Sequence, residues 1–155
     1  MRIVLAGVGP VSKKDFLDQA AQDYAERLTH YARFELRTVE ASARRGGGEP
    51  VERLEADKLR KVAPPGAHAV ALQVTGRQYT TEQLAARLQA WLNAGRDVVL
   101  YQGGPTGLDG ELLRACVEQW SLSTLTLPHR LARVVALEAL YRAFTVLRGE
   151  PYHRA

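Results

Sequence analysis

The sequence predicts an α/β protein built on a mostly parallel sheet of about five strands, with helices on both faces. Three observations carry this. Short apolar runs alternate with longer amphipathic blocks along the chain. The 155 residues suffice for one domain, 1–155, with a real core. No repeat, low-complexity tract or linker interrupts the alternation. Residues 3–8 (IVLAGV) form a continuous apolar run suited to a buried strand, which Gly9 and Pro10 end. Ser12 is the expected N-cap of a helix reaching about Tyr31, with Phe16, Leu17, Ala20, Ala21, Tyr24 and Leu28 on its apolar face. Residues 34–39 alternate as a half-exposed strand does. A basic, glycine-rich loop (41–49) leads to a helix over Val51–Val62, closed by Pro64, Pro65 and Gly66. A strand follows at 68–74. Thr80 or Thr81 caps a helix through Leu92 that buries Leu84, Leu88, Trp91 and Leu92. A strand at 97–102 precedes the tight turn GGPTGL (103–108), and 109–119 read as helix. Residues 120–127 read as a short extended segment, and the last helix runs from about Arg130 to Leu147. Leu137, Leu140, Tyr141 and Phe144 form its apolar stripe, with Glu138 and Arg142 spaced to pair.

Composition excludes several classes. Apolar residues are 46% and charged residues 25%, which excludes a disordered chain, a collagen and a coiled-coil rod. No apolar run approaches the roughly 20 residues of a membrane span. The N-terminal run reads as a strand rather than a signal peptide, and the expected compartment is the cytoplasm. Cys116 stands alone, so an internal disulfide and a thiolate metal site are both excluded, and no metal is expected. It reads as an apolar filler of a helix. The net charge is +4, and only four of the 21 basic residues are lysine. Arginine forks suit phosphates and base edges, which makes nucleic acid a plausible partner.

Three segments carry candidate chemistry. Ligands in open α/β sheets bind beyond the carboxyl ends of the strands. Gly103-Gly104-Pro105-Thr106-Gly107 lies there, where glycines let a backbone approach a ligand closely. The pattern is neither a P-loop nor a dinucleotide fingerprint. Ser123-Thr124-Leu125-Thr126-Leu127-Pro128-His129 mixes hydroxyls with apolar side chains and could wrap a flat ring. His129 stands at a helix entrance, where the dipole favours neutral imidazole. The closing Tyr152-His153-Arg154 offers a stacking face, a titratable group and a phosphate binder. His30 and His68 read as ordinary surface or core histidines.

At these residues the chain resembles the SPOUT class of methyltransferases, and within it the bacterial ribosomal RNA large-subunit (pseudouridine-N3) methyltransferase family RlmH. The likeness runs full length and rests most on GRDVVLYQGGPTGL (95–108), WSLSTLTLPHRLARVVALEALYRA (120–143) and PYHR (151–154). It implies an α/β knot whose C-terminal segment forms a trefoil, against the general rule of unknotted chains. It implies S-adenosylmethionine bound at Leu72, Gly103, Gly104 and the stretch Ser123, Thr124, Leu125, Thr126, Leu127, Pro128. It implies a homodimer in which the partner's tail completes each site, acting on a pseudouridine of 23S rRNA in assembled ribosomes. Thr106 departs from the acidic or aromatic residue common in that loop.

The chemistry then asks for removal of a weakly acidic imide proton by a base within roughly 2.6–3.2 Å. His153 is the first candidate and His129 the second. Arg154 would stabilise developing charge and Tyr152 would stack on the base. Arg44, Arg45, Arg130, Arg133 and Arg142 are the expected RNA contacts, since a separate RNA-binding domain is not expected in a chain of this length. The competing readings are a SPOUT methyltransferase for another rRNA or tRNA base, a catalytically silent RNA-binding knot dimer, and a flavodoxin-like small-molecule domain.

Overall fold

A computed structural model describes residues 1–43 and 48–154. Ten elements follow one another strictly as strand then helix. They are β1 (Arg2–Val8), α1 (Phe16–Leu28), β2 (Arg33–Val39), α2 (Val51–Val62), β3 (His68–Arg77), α3 (Thr81–Ala94), β4 (Val98–Gln102), α4 (Gly110–Ala115), β5 (Glu118–Trp120) and α5 (His129–Arg148). The sheet order is β2-β1-β4-β3-β5, and every pairing is parallel. Right-handed crossovers decide which face each helix covers. The connections β1 to β2 and β3 to β4 step one way across the sheet, while β2 to β3 and β4 to β5 step the other.

The strands' two-residue period divides the core accordingly. Ile3, Leu5, Val98 and Leu100 face α1, α3 and α5, where Leu28, Leu88, Leu137 and Leu140 are also fully buried. Val4, Ala6, Val8, Val99 and Tyr101 face the other way, onto Ala56 and Leu59 of α2 and Leu112 of α4. β1 is an interior strand, paired on both edges and covered on both faces, which is why it reads as an unbroken apolar run.

β3 runs on to Arg77 rather than stopping at 74, and α1 ends at Leu28 rather than near Tyr31. Three further differences change which residues pack or pair. α1 is capped by Asp15, not Ser12: the Asp15 carboxylate accepts from the Leu17 and Asp18 amides at 2.9 and 3.1 Å. Ser12 instead gives its own amide to Asp18 at 2.8 Å. Starting the helix there puts Phe16 on its outer side, 76% exposed, while Asp18 takes a buried place. α4 stops at Ala115, because the next residues join the sheet: Val117 donates to Ala69 O at 3.0 Å and Glu118 pairs beside Val70. The extended segment expected over 120–127 is therefore a strand over Glu118–Trp120 followed by irregular chain. Cys116, the expected helix filler, is the half-buried C-cap of α4. α3 is entered as the sequence indicates, through a Thr80–Gln83 capping box. Among the described residues, no helix is long and apolar enough to cross a membrane.

Candidate functional site

A cleft of about 330 Å³ opens beyond the carboxyl end of β4, beside the stretch of β3 that follows its pairing with β4. Three stretches of chain line it: Leu72–Val74, Gln102–Leu108, and the segment from Leu122 to His129, with Trp120 and Ala132 behind. The volume lies near the lower end for small-molecule sites. Apolar side chains and backbone groups share the lining, and the stretches differ in how free that backbone is.

The glycine turn is rigid. Gly107 donates to Gly104 O at 3.0 Å, and the two form an isolated antiparallel bridge. A Cβ on Gly103 would drive into the returning Gly107 carbonyl and lie 2.9 Å from the Leu108 nitrogen. Gly104 is different. Its Cβ would lie 3.0 Å from Val8 Cγ1 and 3.4 Å from Glu55 Oε2. A side chain there would press on the layer beneath the turn. Thr106 is exposed on the cleft rim. Glu55 is buried under this turn, with one oxygen accepting from the Ser42 amide at 3.0 Å and Oε2 unpartnered.

The opposite wall is held by its own hydroxyls. Ser121 Oγ donates to Ser123 O at 3.0 Å, and Ser123 Oγ accepts from the Leu125 amide at 2.9 Å. The main chain of residues 122–127 makes no backbone–backbone hydrogen bond among the described residues. Beyond the Ser123 carbonyl and the Leu125 amide, which the hydroxyls engage, its amides and carbonyls keep bonding capacity that a ring with polar edges could use. Leu72, Leu122, Leu125 and Leu127 supply apolar contact beside them.

A buried clamp holds the entrance of α5. Arg133 is 1% exposed and donates to Val8 O at 2.6 Å, Gly9 O at 3.1 Å and Gln102 Oε1 at 2.9 Å. Gln102 in turn gives its Nε2 hydrogen to the His129 carbonyl. One guanidinium thus ties the tips of β1 and β4 to the cleft wall. Burial, with Arg133 and Arg130 nearby, holds the His129 imidazole below its ordinary pKa of 6.5. At neutral pH it is an uncharged group able to accept a proton.

The model of the family described as "Predicted SPOUT methyltransferase" matches residues 1–153. The chain belongs to the SPOUT methyltransferase family. It is 40% identical over 157 residues to a Bordetella avium protein called ribosomal RNA large subunit methyltransferase H, with all of both chains covered. Proteins of the same name from Bordetella petrii and Stenotrophomonas maltophilia are 42% and 44% identical; the first is covered in full, the second with 88% of this chain and 89% of its own. A solved structure of a probable methylase family protein from Haemophilus influenzae aligns with a TM-score of 0.54. That alignment covers 99% of this chain and 70% of the other at 16% identity, so it speaks to the fold alone.

For a SPOUT methyltransferase, the cleft gathers Leu72, Gly103, Gly104, Ser123, Leu125, Thr126, Leu127 and His129 in one place. Thr124 and Pro128 do not line it. Thr124 faces a neighbouring depression between α3 and α5, and Pro128 is the N-cap of α5. The sequence reading missed Gln102. A polar residue closing an otherwise apolar strand was the available signal.

The expected arginines divide. Arg133 cannot touch RNA directly, because its guanidinium is enclosed and turned inward, with three of its five N–H donors in the clamp. Arg142 is turned to Glu138, with Nε at 3.0 Å, and its guanidinium lies over the Tyr152 ring at 4.8 Å. Arg130 bridges Asp15 and Asp18 at 3.1 and 3.3 Å beside His129. Arg44 and Arg45 lie outside the described residues.

The tail docks on its own chain away from the cleft. Tyr152 OH donates to Glu138 Oε1 at 3.1 Å and meets Tyr24 OH at 3.4 Å, and its ring packs edge-on against Tyr141. Burial and these neighbours raise the phenol's pKa. His153 Nε2 lies 3.0 Å from Glu82 Oε1, while its buried Nδ1 has no partner. Arg154 is exposed. The stretch with the strongest chemistry is therefore not brought to this chain's own cleft.

Proposed function

We propose that this SPOUT methyltransferase uses S-adenosylmethionine to methylate N3 of a pseudouridine in 23S rRNA on assembled ribosomes, in the cytoplasm. The observation that carries the reading is the cleft beyond β4 and beside β3, walled by the glycine turn and the Ser123–Leu127 segment, in a chain 40% and 42% identical over its full length to relatives named ribosomal RNA large subunit methyltransferase H. The residues fit the cofactor. Backbone groups over 122–127 that make no main-chain bond, apolar leucines and a compact glycine turn at the cleft wall suit an adenosine group. When bound, the cofactor supplies a sulfonium-activated methyl group.

The chain's own task is to position the acceptor ring and to take its N3 proton. His129 is neutral at physiological pH and stands on the cleft rim, so it can accept a proton there. His153 is the other candidate, reaching the cleft from a partner subunit in a homodimer. In that arrangement Tyr152 stacks on the base and Arg154 stabilises charge on a carbonyl oxygen or holds a phosphate. Docking of the tail away from its own cleft, with a buried Nδ1 left unpaired, is what supports delivery to the other protomer.

A threaded, knotted path for the C-terminal segment belongs to the same proposal. Its support is the route from edge strand β5, where Ser121 donates to Arg77 O, to an α5 entrance tied to the tips of β4 and β1.

The test uses ribosomes lacking the modification and a labelled methyl donor, with the labelled nucleotide mapped by mass spectrometry. Label on a single 23S pseudouridine is expected. Label on another rRNA or tRNA base would replace the substrate, and donor binding without transfer to any RNA would refute the enzymatic reading. Removal of Pro151–Ala155 is expected to abolish transfer while a folded dimer persists in sedimentation.

A further inference from the structure

The loop from Gly9 to Phe16 lies on the same rim as the cleft. A Cβ on Gly9 would stand 3.5 Å from His129 Nε2, so the loop begins where the cleft wall ends. It is held firmly for an irregular segment. Asp18, 1% exposed, accepts from the Ser12 amide at 2.8 Å. Gln19 Nε2 donates to Lys13 O at 2.6 Å, and Lys14 N donates to Ser12 Oγ at 3.3 Å. Arg130, next to His129, bridges Asp15 and Asp18. Each of these bonds fixes the backbone, and none engages the side chains the loop presents.

Those side chains are Lys13, Lys14 and Phe16. Both lysines are exposed and make no ion pair among the described residues. The nearby carboxylates of Asp15 and Asp18 are already matched with Arg130 and backbone amides. Phe16 is 76% exposed on the first turn of α1, off the buried face that carries Asp18, Ala21, Ala25 and Leu28. A fixed loop that offers two free ammonium groups and a bare aromatic face, beside a cleft, has the composition of a single-stranded nucleic-acid platform.

We propose that Lys13, Lys14 and Phe16 form a docking platform for the acceptor RNA, in which the lysines meet phosphates and Phe16 stacks on an unpaired base flanking the target. This rests on the RNA-methyltransferase reading and adds to it a surface outside the cleft and the tail. The platform is continuous with the cleft through Gly9 and His129, so a base stacked on Phe16 and a base in the cleft can belong to one loop of RNA.

The test uses the full-length protein and ribosomes lacking the modification. A photoreactive benzoyl group is introduced by Phe16→p-benzoylphenylalanine, and the crosslinked product is identified. A separate Lys13→Ala/Lys14→Ala variant is titrated with ribosomes over a range of salt. Crosslinking to 23S rRNA is expected. The lysine variant should lower the slope of log affinity against log salt by roughly 1.4–1.8 for two lost phosphate contacts. Phe16→Ala should raise the apparent KM for ribosomes by roughly 5- to 160-fold, the span for one aromatic–base stack, with kcat and calorimetric donor affinity unchanged.

Crosslinking only to a ribosomal protein or to a second copy of the chain would overturn the platform, as would an unchanged salt slope. If the wild-type protein labels no 23S pseudouridine but position 16 still crosslinks to RNA and the slope still falls, the substrate assignment fails and the platform stands. If wild-type transfer is normal and both readouts are flat, the platform alone fails.

Discussion

Replacing Arg133 by methionine tests whether one buried guanidinium organises the cleft. The side chain is 1% exposed and donates three bonds at 2.6, 2.9 and 3.1 Å. Bonds from a charged donor contribute about 1.5–3 kcal/mol each. Against this stands the cost of burying the ion, several kcal/mol, the same burial that pulls the guanidinium's pKa down. Methionine recovers that cost and fills much of the volume, but it leaves the Val8 and Gly9 carbonyls without donors. Orphaned buried carbonyls cost about 1–3 kcal/mol apiece. With the burial cost recovered offsetting the lost bonds, the two orphaned carbonyls leave a net loss of about 2–6 kcal/mol, which in a domain of this size lowers Tm by roughly 4–24 °C. Urea denaturation gives the stability, and calorimetry with the demethylated cofactor product gives the affinity. Affinity should fall as well, because Gln102 loses its partner and with it the fixed hold on the His129 carbonyl. Arg133→Lys keeps the charge but not the fork, and should fall between the two. A methionine variant within about 0.5 kcal/mol of wild type, the usual range for a surface change, would refute the clamp.

Three further outcomes follow from the geometry. His129 has a folded-state pKa below its ordinary 6.5, so the folded state resists protonation. Stability is full above about pH 6.5 and is lost as pH falls through the lowered value; His129→Gln should shrink that acid loss in urea titrations at pH 7 and pH 5. Gly104→Val should cost about 1–3 kcal/mol by pressing on Val8 and Glu55, and any loss of donor affinity should track that destabilisation; full stability with abolished binding would mean that the side chain enters the cleft instead. Glu118 is a hub for His68, Arg87 and Trp91. Burial alone would raise its pKa, but these donors outweigh it and hold the carboxyl low. Glu118→Gln should cost about 1–3 kcal/mol and speed amide exchange in β5, and unchanged exchange would place the anchor of that edge strand elsewhere.

The alternating apolar and amphipathic blocks determined the number, type and order of the elements. The reason is local: a strand buried on both faces reads as a continuous run, as β1 does, and a helix declares its face every three or four residues, as α3 does with Leu84, Leu88 and Trp91. The glycine turn and the Ser123–Leu127 wall were legible for a similar reason, since both motifs are contiguous. What pairing decides was not legible. The end of α4 at Ala115 depends on Glu118 meeting Val70, a partner 48 positions away along the chain. The capping of α1 by Asp15 rather than Ser12 depends on where Asp18 is buried. Arg133 and Phe16 show the limit most clearly. By composition an arginine belongs outside and a phenylalanine inside. The tertiary structure reverses both, because Arg133 faces the carbonyls at the tip of β1 and donates to them, while in the first turn of α1 Asp18 takes the buried place and Phe16 the outer side.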